Sequence, residues 1–65
     1  DSMTEKFISC NYANCTALLF TAYSNGTCYK RDILKDKKAQ TITRAEFDSE
    51  RELAKYSDYF EETEE

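Results

Sequence analysis

The chain of 65 residues is long enough for one domain, whose core would be close to the smallest that supports folding. It has no proline, one glycine, five tyrosines and four phenylalanines, which is typical of a folded chain rather than of a low-complexity one. The sequence has no histidine, no glycine-rich phosphate loop and no apolar run of membrane-spanning length. It therefore argues against an enzyme and against a membrane protein.

The first two predicted elements are β-strands. Residues 6–10 are short and β-prone, and the two asparagines within residues 11–14 favour a turn after them. Residues 15–23 are rich in threonine, leucine, phenylalanine and tyrosine, a composition typical of strands. The sequence therefore predicts two strands separated by a short turn.

Asn25-Gly26 is the clearest local signal, because this dipeptide between two β-prone runs predicts a type I′ hairpin with a two-residue loop. Such a loop would place Ala22 opposite Tyr29 in the next strand. One face of the sheet would then carry Leu18, Phe20, Ala22, Tyr29 and Ile33. The other, wetter face would carry Thr21, Lys30 and Asp32.

A helix is predicted after a third long strand. Residues 35–38 are polar and charged and predict a turn, and residues 40–47 alternate weakly and predict a strand. Asp48 or Ser49 could cap a helix, and Ser49 with Glu52 fits a capping box. The apolar stripe of this helix would consist of Leu53, Tyr56 and Phe60.

The predicted fold class is α+β, with a small antiparallel sheet of three to four strands and one C-terminal helix packed on one face. The domain would span residues 3–60, and residues 61–65 would form an acidic, flexible tail. Residues 1–2 resemble a vector remnant, which would place the natural start at Met3.

The three cysteines are Cys10, Cys15 and Cys28. An odd number fits reduced thiols in a cytosol, and three thiols without histidine do not make a zinc site, so we expect no metal and no cofactor. The alternative is an extracellular domain with one disulfide and glycans, because Asn14 and Asn25 each begin a glycosylation acceptor triplet.

Charge is segregated along the chain, with a net charge of +3 in residues 1–45 and −7 in residues 46–65. A dense negative patch attracts basic partners over long distances. The candidate acidic surface consists of Glu50, Asp58, Tyr59, Glu61 and Glu62. Its carboxylates and tyrosine could occupy a groove built for nucleic acid, or the acidic helix could serve only solubility.

A second candidate surface is basic. It consists of Lys30, Arg31, Lys35, Lys37, Lys38 and Arg44. Such a cluster could hold RNA or DNA phosphates, although the net charge of −4 and the lack of a nucleic-acid-binding motif argue against this. The other interpretation is a solvated turn of mixed charge.

Two segments resemble small phage anti-CRISPR proteins. They are Tyr-Ser-Asn-Gly-Thr at residues 23–27, and Arg-Ala-Glu-Phe-Asp-Ser-Glu at residues 44–50, which leads into Leu53. The resemblance implies a short, non-enzymatic, phage-encoded inhibitor that binds and occludes a defence or nucleic-acid-handling protein in the cytoplasm of an infected bacterium.

Two other functions fit the same residues. A small intracellular adaptor or regulatory subunit could dock its acidic helix on a basic host protein. A nucleic-acid-binding module could use the basic surface instead, although we expect a protein partner and no membrane. The protein could be a monomer, or a homodimer paired through an exposed strand edge.

Overall fold

The computed structural model describes residues 3–35 and 38–64, which form one antiparallel sheet and one helix. The elements in chain order are β1 (Glu5–Asn11), β2 (Thr16–Ala22), β3 (Cys28–Asp32), β4 (Gln40–Ile42), α1 (Arg44–Ala54) and β5 (Tyr59–Glu64). Within these residues the strand order is β4-β3-β2-β1-β5, and every neighbouring pair is antiparallel. The α+β class with an antiparallel sheet and one helix is confirmed, with five strands instead of three to four.

The core lies between α1 and one face of the sheet, where four phenylalanine rings meet. Phe7 of β1 pairs with Phe20 of β2, and their rings stack with centroids 4.5 Å apart and planes 11° apart. Phe47 of α1 meets the Phe7 ring edge-on at 5.2 Å, and Phe60 of β5 lies 5.8 Å from it. Ala22, Cys28 and Ala54 complete the buried cluster.

The β2–β3 hairpin has a three-residue loop, and the predicted two-residue loop is wrong. The Tyr23 N–H donates to the Thr27 carbonyl at 2.8 Å, and the Gly26 N–H donates to the Tyr23 carbonyl at 3.0 Å. Gly26 has φ of +92°, which is the left-handed glycine that closes a three-residue loop. Ala22 consequently pairs with Cys28.

This shift of one residue changes which side chains of β3 face the helix, because strand side chains alternate between faces. Cys28 pairs with Ala22 on the helix side and is fully buried, whereas Tyr29 pairs with Thr21 on the opposite face. Lys30 pairs with Phe20 and lies on the helix side of the sheet. The prediction that Lys30 lies on the wetter face is therefore wrong.

Helix α1 begins about one and a half turns earlier than the sequence predicted. Thr43 is its N-cap, and the Thr43 hydroxyl oxygen accepts a hydrogen bond from the Glu46 N–H at 3.1 Å. Thr43 and Glu46 have the Thr-x-x-Glu spacing of a capping box, so the predicted start at Asp48 or Ser49 is wrong. The strand expected over residues 40–47 is accordingly only three residues long.

The side chains of α1 that face the sheet are different from those that the sequence predicted. Phe47 and Ala54 are its buried residues. Leu53 and Tyr56, expected in the core, are 66% and 89% exposed. The helix ends at Ala54, so Phe60 reaches the core from β5.

Strand β5 occupies the segment that the sequence assigned to the end of a helix and to an acidic tail. Its residues pair with β1 from Cys10↔Tyr59 to Glu5↔Glu64. The helix is therefore followed by an edge strand, and residues 61–64 belong to the sheet rather than to a tail. Only Phe60 of this strand packs against the core, and its carboxylates are exposed, as suits a strand at the edge of the sheet.

We expect Phe7→Ala to unfold most of the protein at room temperature. Removing a buried phenylalanine side chain costs about 3–5 kcal/mol, comparable to the whole stability of a small domain. Thermal unfolding followed by circular dichroism checks this, with the exposed Tyr56→Ala as the control. A Phe7→Ala variant with a cooperative transition within a few degrees of the parent would contradict it.

We expect Gly26→Ala to destabilise the hairpin by about 1–2 kcal/mol, because an L-residue is strained at positive φ. No atom lies within 4 Å of the position that the new methyl group would occupy, so the cost comes from the backbone alone. Urea denaturation measures it. Gly26→Asn should lose less, since asparagine tolerates this conformation, and equal midpoints for all three proteins would refute the argument.

Candidate binding surfaces

The predicted acidic residues do not form one surface. Cross-strand pairing places Glu62 on the helix side of β5, and Tyr59 and Glu61 on the opposite face. Glu50 is half-buried on α1, where it lines a shallow cleft with Lys30. These residues are therefore divided between two faces of the sheet.

Asp58 has a structural contact. It lies between α1 and β5, and its carboxylate accepts a hydrogen bond from the Tyr12 backbone N–H at 2.7 Å. This bond connects the β1–β2 turn to the segment that leads into β5. Asp58 is exposed, but its hydrogen bond orients the carboxylate toward the protein.

Tyr59 and Glu61 form a pair on the face away from α1. The Tyr59 hydroxyl donates to Glu61 Oε2 at 2.7 Å, and this hydrogen bond raises the pKa of Tyr59 above its usual value. Tyr59 and Glu61 are two positions apart on one strand, so their side chains lie on the same face of the sheet. The hydrogen bond between them fixes their relative position. They are available to a partner only from that side of the sheet.

Glu62 belongs to an ion-pair network centred on Arg51. The Arg51 guanidinium lies 2.9 Å from Glu5, 3.2 Å from Asp48 and 3.4 Å from Glu62. Arg44 adds contacts to Glu5 at 3.0 Å and to Asp48 at 3.3 Å. The network therefore joins β1, α1 and β5.

The same two guanidinium groups lie over the Phe47 ring, at 5.1 Å for Arg44 and 5.6 Å for Arg51. Such cation–π contacts are favourable because the ring face is negative. The hydrogen bond from Arg44, reinforced by Arg51, holds the pKa of Glu5 below 4.5, although partial burial acts in the opposite direction. The network is thus charged at neutral pH.

The predicted basic residues are also divided. Lys30 is half-buried on the helix side of β3, and Arg31 is exposed on the opposite face. Arg44 is occupied by Glu5 and Asp48. The structure therefore does not bring these three cations together.

The remaining basic candidates lie near the β3–β4 connection. Lys35 and Lys38 are exposed, and Lys37 lies outside the described residues. Lys38 shares a groove with Lys30, but Asp32 lines the same groove. A phosphate there would meet a carboxylate as well as two cations.

A third surface, which the sequence did not predict, is formed by the exposed side of α1 and the turn that follows it. We define the α1 outer surface by the exposed helix residues Glu46, Ser49, Glu52 and Leu53, together with Tyr56, which lies two residues beyond the end of α1. Sequence reasoning placed Leu53 and Tyr56 in the core because it missed the Thr43 cap. The spacing of Thr43 and Glu46 was the signal that could have found it.

The α1 outer surface combines apolar side chains with carboxylates. Leu53 is 66% exposed and Tyr56 is 89% exposed. Glu52 pairs with Lys55 at 2.8 Å, which lowers the pKa of Glu52. Glu46 has no ion-pair partner in the described part of the chain.

The described residues, 3–35 and 38–64, contain no group of three cysteine or carboxylate side chains placed to hold a metal ion. Helix α1 is too short and too polar to cross a membrane. Cys10, Cys15 and Cys28 are free thiols that are half-buried, exposed and buried. Comparison with protein-family models, curated proteins and solved structures finds no match.

We expect Glu5→Gln to weaken folding at pH 7 by on the order of 1 kcal/mol, because two arginines lose their shared carboxylate. The folded-state pKa of Glu5 lies below its unfolded value of 4.5. Its stabilisation is therefore complete above pH 4.5 and is lost as the pH falls through the folded-state pKa. Urea unfolding at pH values from neutral to acidic measures both effects.

In this experiment Glu46→Gln is the matched control, since it removes the same charge from an exposed carboxylate outside the network and preserves a capping box. Glu5→Gln should flatten the loss of stability below pH 4.5, whereas Glu46→Gln should follow the parent. Identical acid profiles for all three proteins would show that the Glu5 pairing does not contribute to stability.

Proposed function

We propose that the protein is a non-enzymatic binding protein that docks the α1 outer surface on a basic surface of another protein and occludes it. The observation that carries the proposal is the exposure of Leu53 and Tyr56 between carboxylates. Tyrosine is enriched among the residues that dominate binding energy. Carboxylates around it favour encounter with a positively charged partner.

The rigidity of α1 supports this proposal. The Thr43 cap fixes its first turn, and Arg51 joins it to β1 and β5. Phe47 holds its inner side against the core. A surface that is already ordered loses little conformational entropy on binding, so more of the contact energy appears as affinity.

The chemistry of the surface favours a class of partner. Proteins that handle nucleic acids carry lysine and arginine surfaces for phosphates, and an acidic helix with a tyrosine can occupy such a surface. Together with the resemblance to anti-CRISPR proteins, this favours a phage-type inhibitor of a defence or nucleic-acid-handling protein in a bacterial cytoplasm. An adaptor or regulatory subunit would use the same α1 outer surface without blocking the partner's nucleic-acid site.

Affinity capture from a bacterial lysate, followed by mass spectrometry, tests the proposal. We expect the parent protein to enrich a nucleic-acid-handling or defence protein, and the Leu53→Ser/Tyr56→Ala double variant to lose at least tenfold of that enrichment. Tyr23→Ala is the matched control, since Tyr23 is an exposed tyrosine that does not belong to the α1 outer surface. Glu46→Gln/Glu52→Gln should bind more weakly, and high salt should weaken the parent.

A second measurement separates an inhibitor from an adaptor. Once a partner is captured, its binding to a labelled oligonucleotide is followed as the parent protein is added. Loss of oligonucleotide binding at one equivalent supports occlusion, whereas an unchanged signal supports an adaptor. Equal capture by the parent and the Leu53→Ser/Tyr56→Ala variant would exclude the α1 outer surface as the docking site.

A further inference from the structure

No helix or strand of the described residues packs on the face of the sheet opposite α1, although Ala39 of the β3–β4 connection lies beside Leu19 and Arg31 at its margin. Its centre, which we call the open sheet face, consists of Ile8 and Cys10 of β1 and Ala17 and Leu19 of β2. Ile8, Cys10 and Leu19 are half-buried. An antiparallel sheet with one face in water usually carries polar residues on that face. The apolar side chains at the centre of the open sheet face therefore favour packing against another protein surface.

Charge is arranged along one cross-strand row of this face. Glu61 of β5 pairs with Ile8, Ile8 with Leu19, and Leu19 with Arg31 of β3. The row therefore runs from a negative residue through two apolar residues to a positive residue. If a second copy of the row is turned by 180° about an axis parallel to the strands and laid on the first, the negative end of each row meets the positive end of the other.

We propose that a second copy of this chain packs on the open sheet face, related by a twofold axis parallel to the strands between β1 and β2. This operation places Leu19 on the partner's Ile8 and Arg31 beside the partner's Glu61, and symmetry repeats both contacts. The result is a two-layer sandwich with one α1 on each outside.

The neighbouring rows fit the same axis. Cys10 pairs with Ala17 across β1 and β2, so the operation places the partner's Ala17 on Cys10, where small side chains permit close approach. Lys6 pairs with Thr21 and would meet the partner's Thr21, so no like charges meet. A twofold axis across the strands would instead place Arg31 on the partner's Arg31 and is disfavoured.

The size of the face sets the expected strength. Four strands about 4.8 Å apart and about six residues long cover roughly 400 Å² per protomer. The total of about 800 Å² is below the size of stable interfaces, so the dimer is a weak, transient one that dissociates on dilution. The α1 outer surface lies on the other side of the sheet, and a failed dimer test leaves the proposed function unaffected.

Complementary charge variants test the pairing. Sedimentation velocity across a hundredfold range of concentration should show the parent moving from monomer to dimer. Arg31→Glu and Glu61→Arg should each weaken self-association at least tenfold, because like charges then meet twice. An equimolar mixture of the two variants should form a heterodimer, and the double variant should again self-associate.

Leu19→Thr provides a second test that is independent of charge. Leu19 lies outside the buried core cluster and threonine suits a strand, so the monomer should fold, as circular dichroism will show, while dimerisation weakens at least tenfold. A parent that stays monomeric over the whole range would overturn the proposal. So would a mixture of Arg31→Glu and Glu61→Arg that forms no heterodimer, or a monomer whose face binds single-stranded oligonucleotide instead.

Discussion

The fold depends on the packing around the Phe7 ring. This one side chain contacts the other three phenylalanines of the chain, from β2, α1 and β5. Burial of a phenylalanine side chain contributes about 1.5–3 kcal/mol, and stacked or edge-on rings add further stabilisation. The helix and the edge strand thus share this contact with the first two strands, and Ala22, Cys28 and Ala54 fill the space around it.

The ion pairs beside Phe47 explain how a chain whose negative charge is concentrated in residues 46–65 folds without strong local repulsion. Residues 46–65 have only two basic side chains, and Arg51 is one of them. It contacts carboxylates from β1, α1 and β5, while its guanidinium lies over the Phe47 ring. The excess negative charge that remains lies largely on surfaces away from this cluster, including the α1 outer surface.

The sequence predicted the fold class and the hairpin at Asn25-Gly26, because composition and turn chemistry are local. It could not give the register, since two- and three-residue loops both accept glycine at positive φ. It placed α1 wrongly because Thr43 with Glu46 and Ser49 with Glu52 both have the spacing of a capping box. In the structure, the hydrogen bond to the Thr43 hydroxyl and the burial of Phe47 distinguish them. The predicted acidic residues are divided between two faces because residues 59–64 form strand β5 rather than a helix, and the predicted basic residues are divided because Lys30 and Arg31 are neighbours in strand β3.

The pairing of β1 with β5 has a consequence for folding kinetics. The β1–β2 and β2–β3 pairs are hairpins, whereas Cys10 and Tyr59 come together only by closing a loop that contains most of the chain. Closing such a loop costs more entropy, so we expect β5 to dock after the β1–β2–β3 meander has formed. Substitutions in β5 would then accelerate unfolding with little effect on the folding rate, and its amide protons would exchange before those of β2.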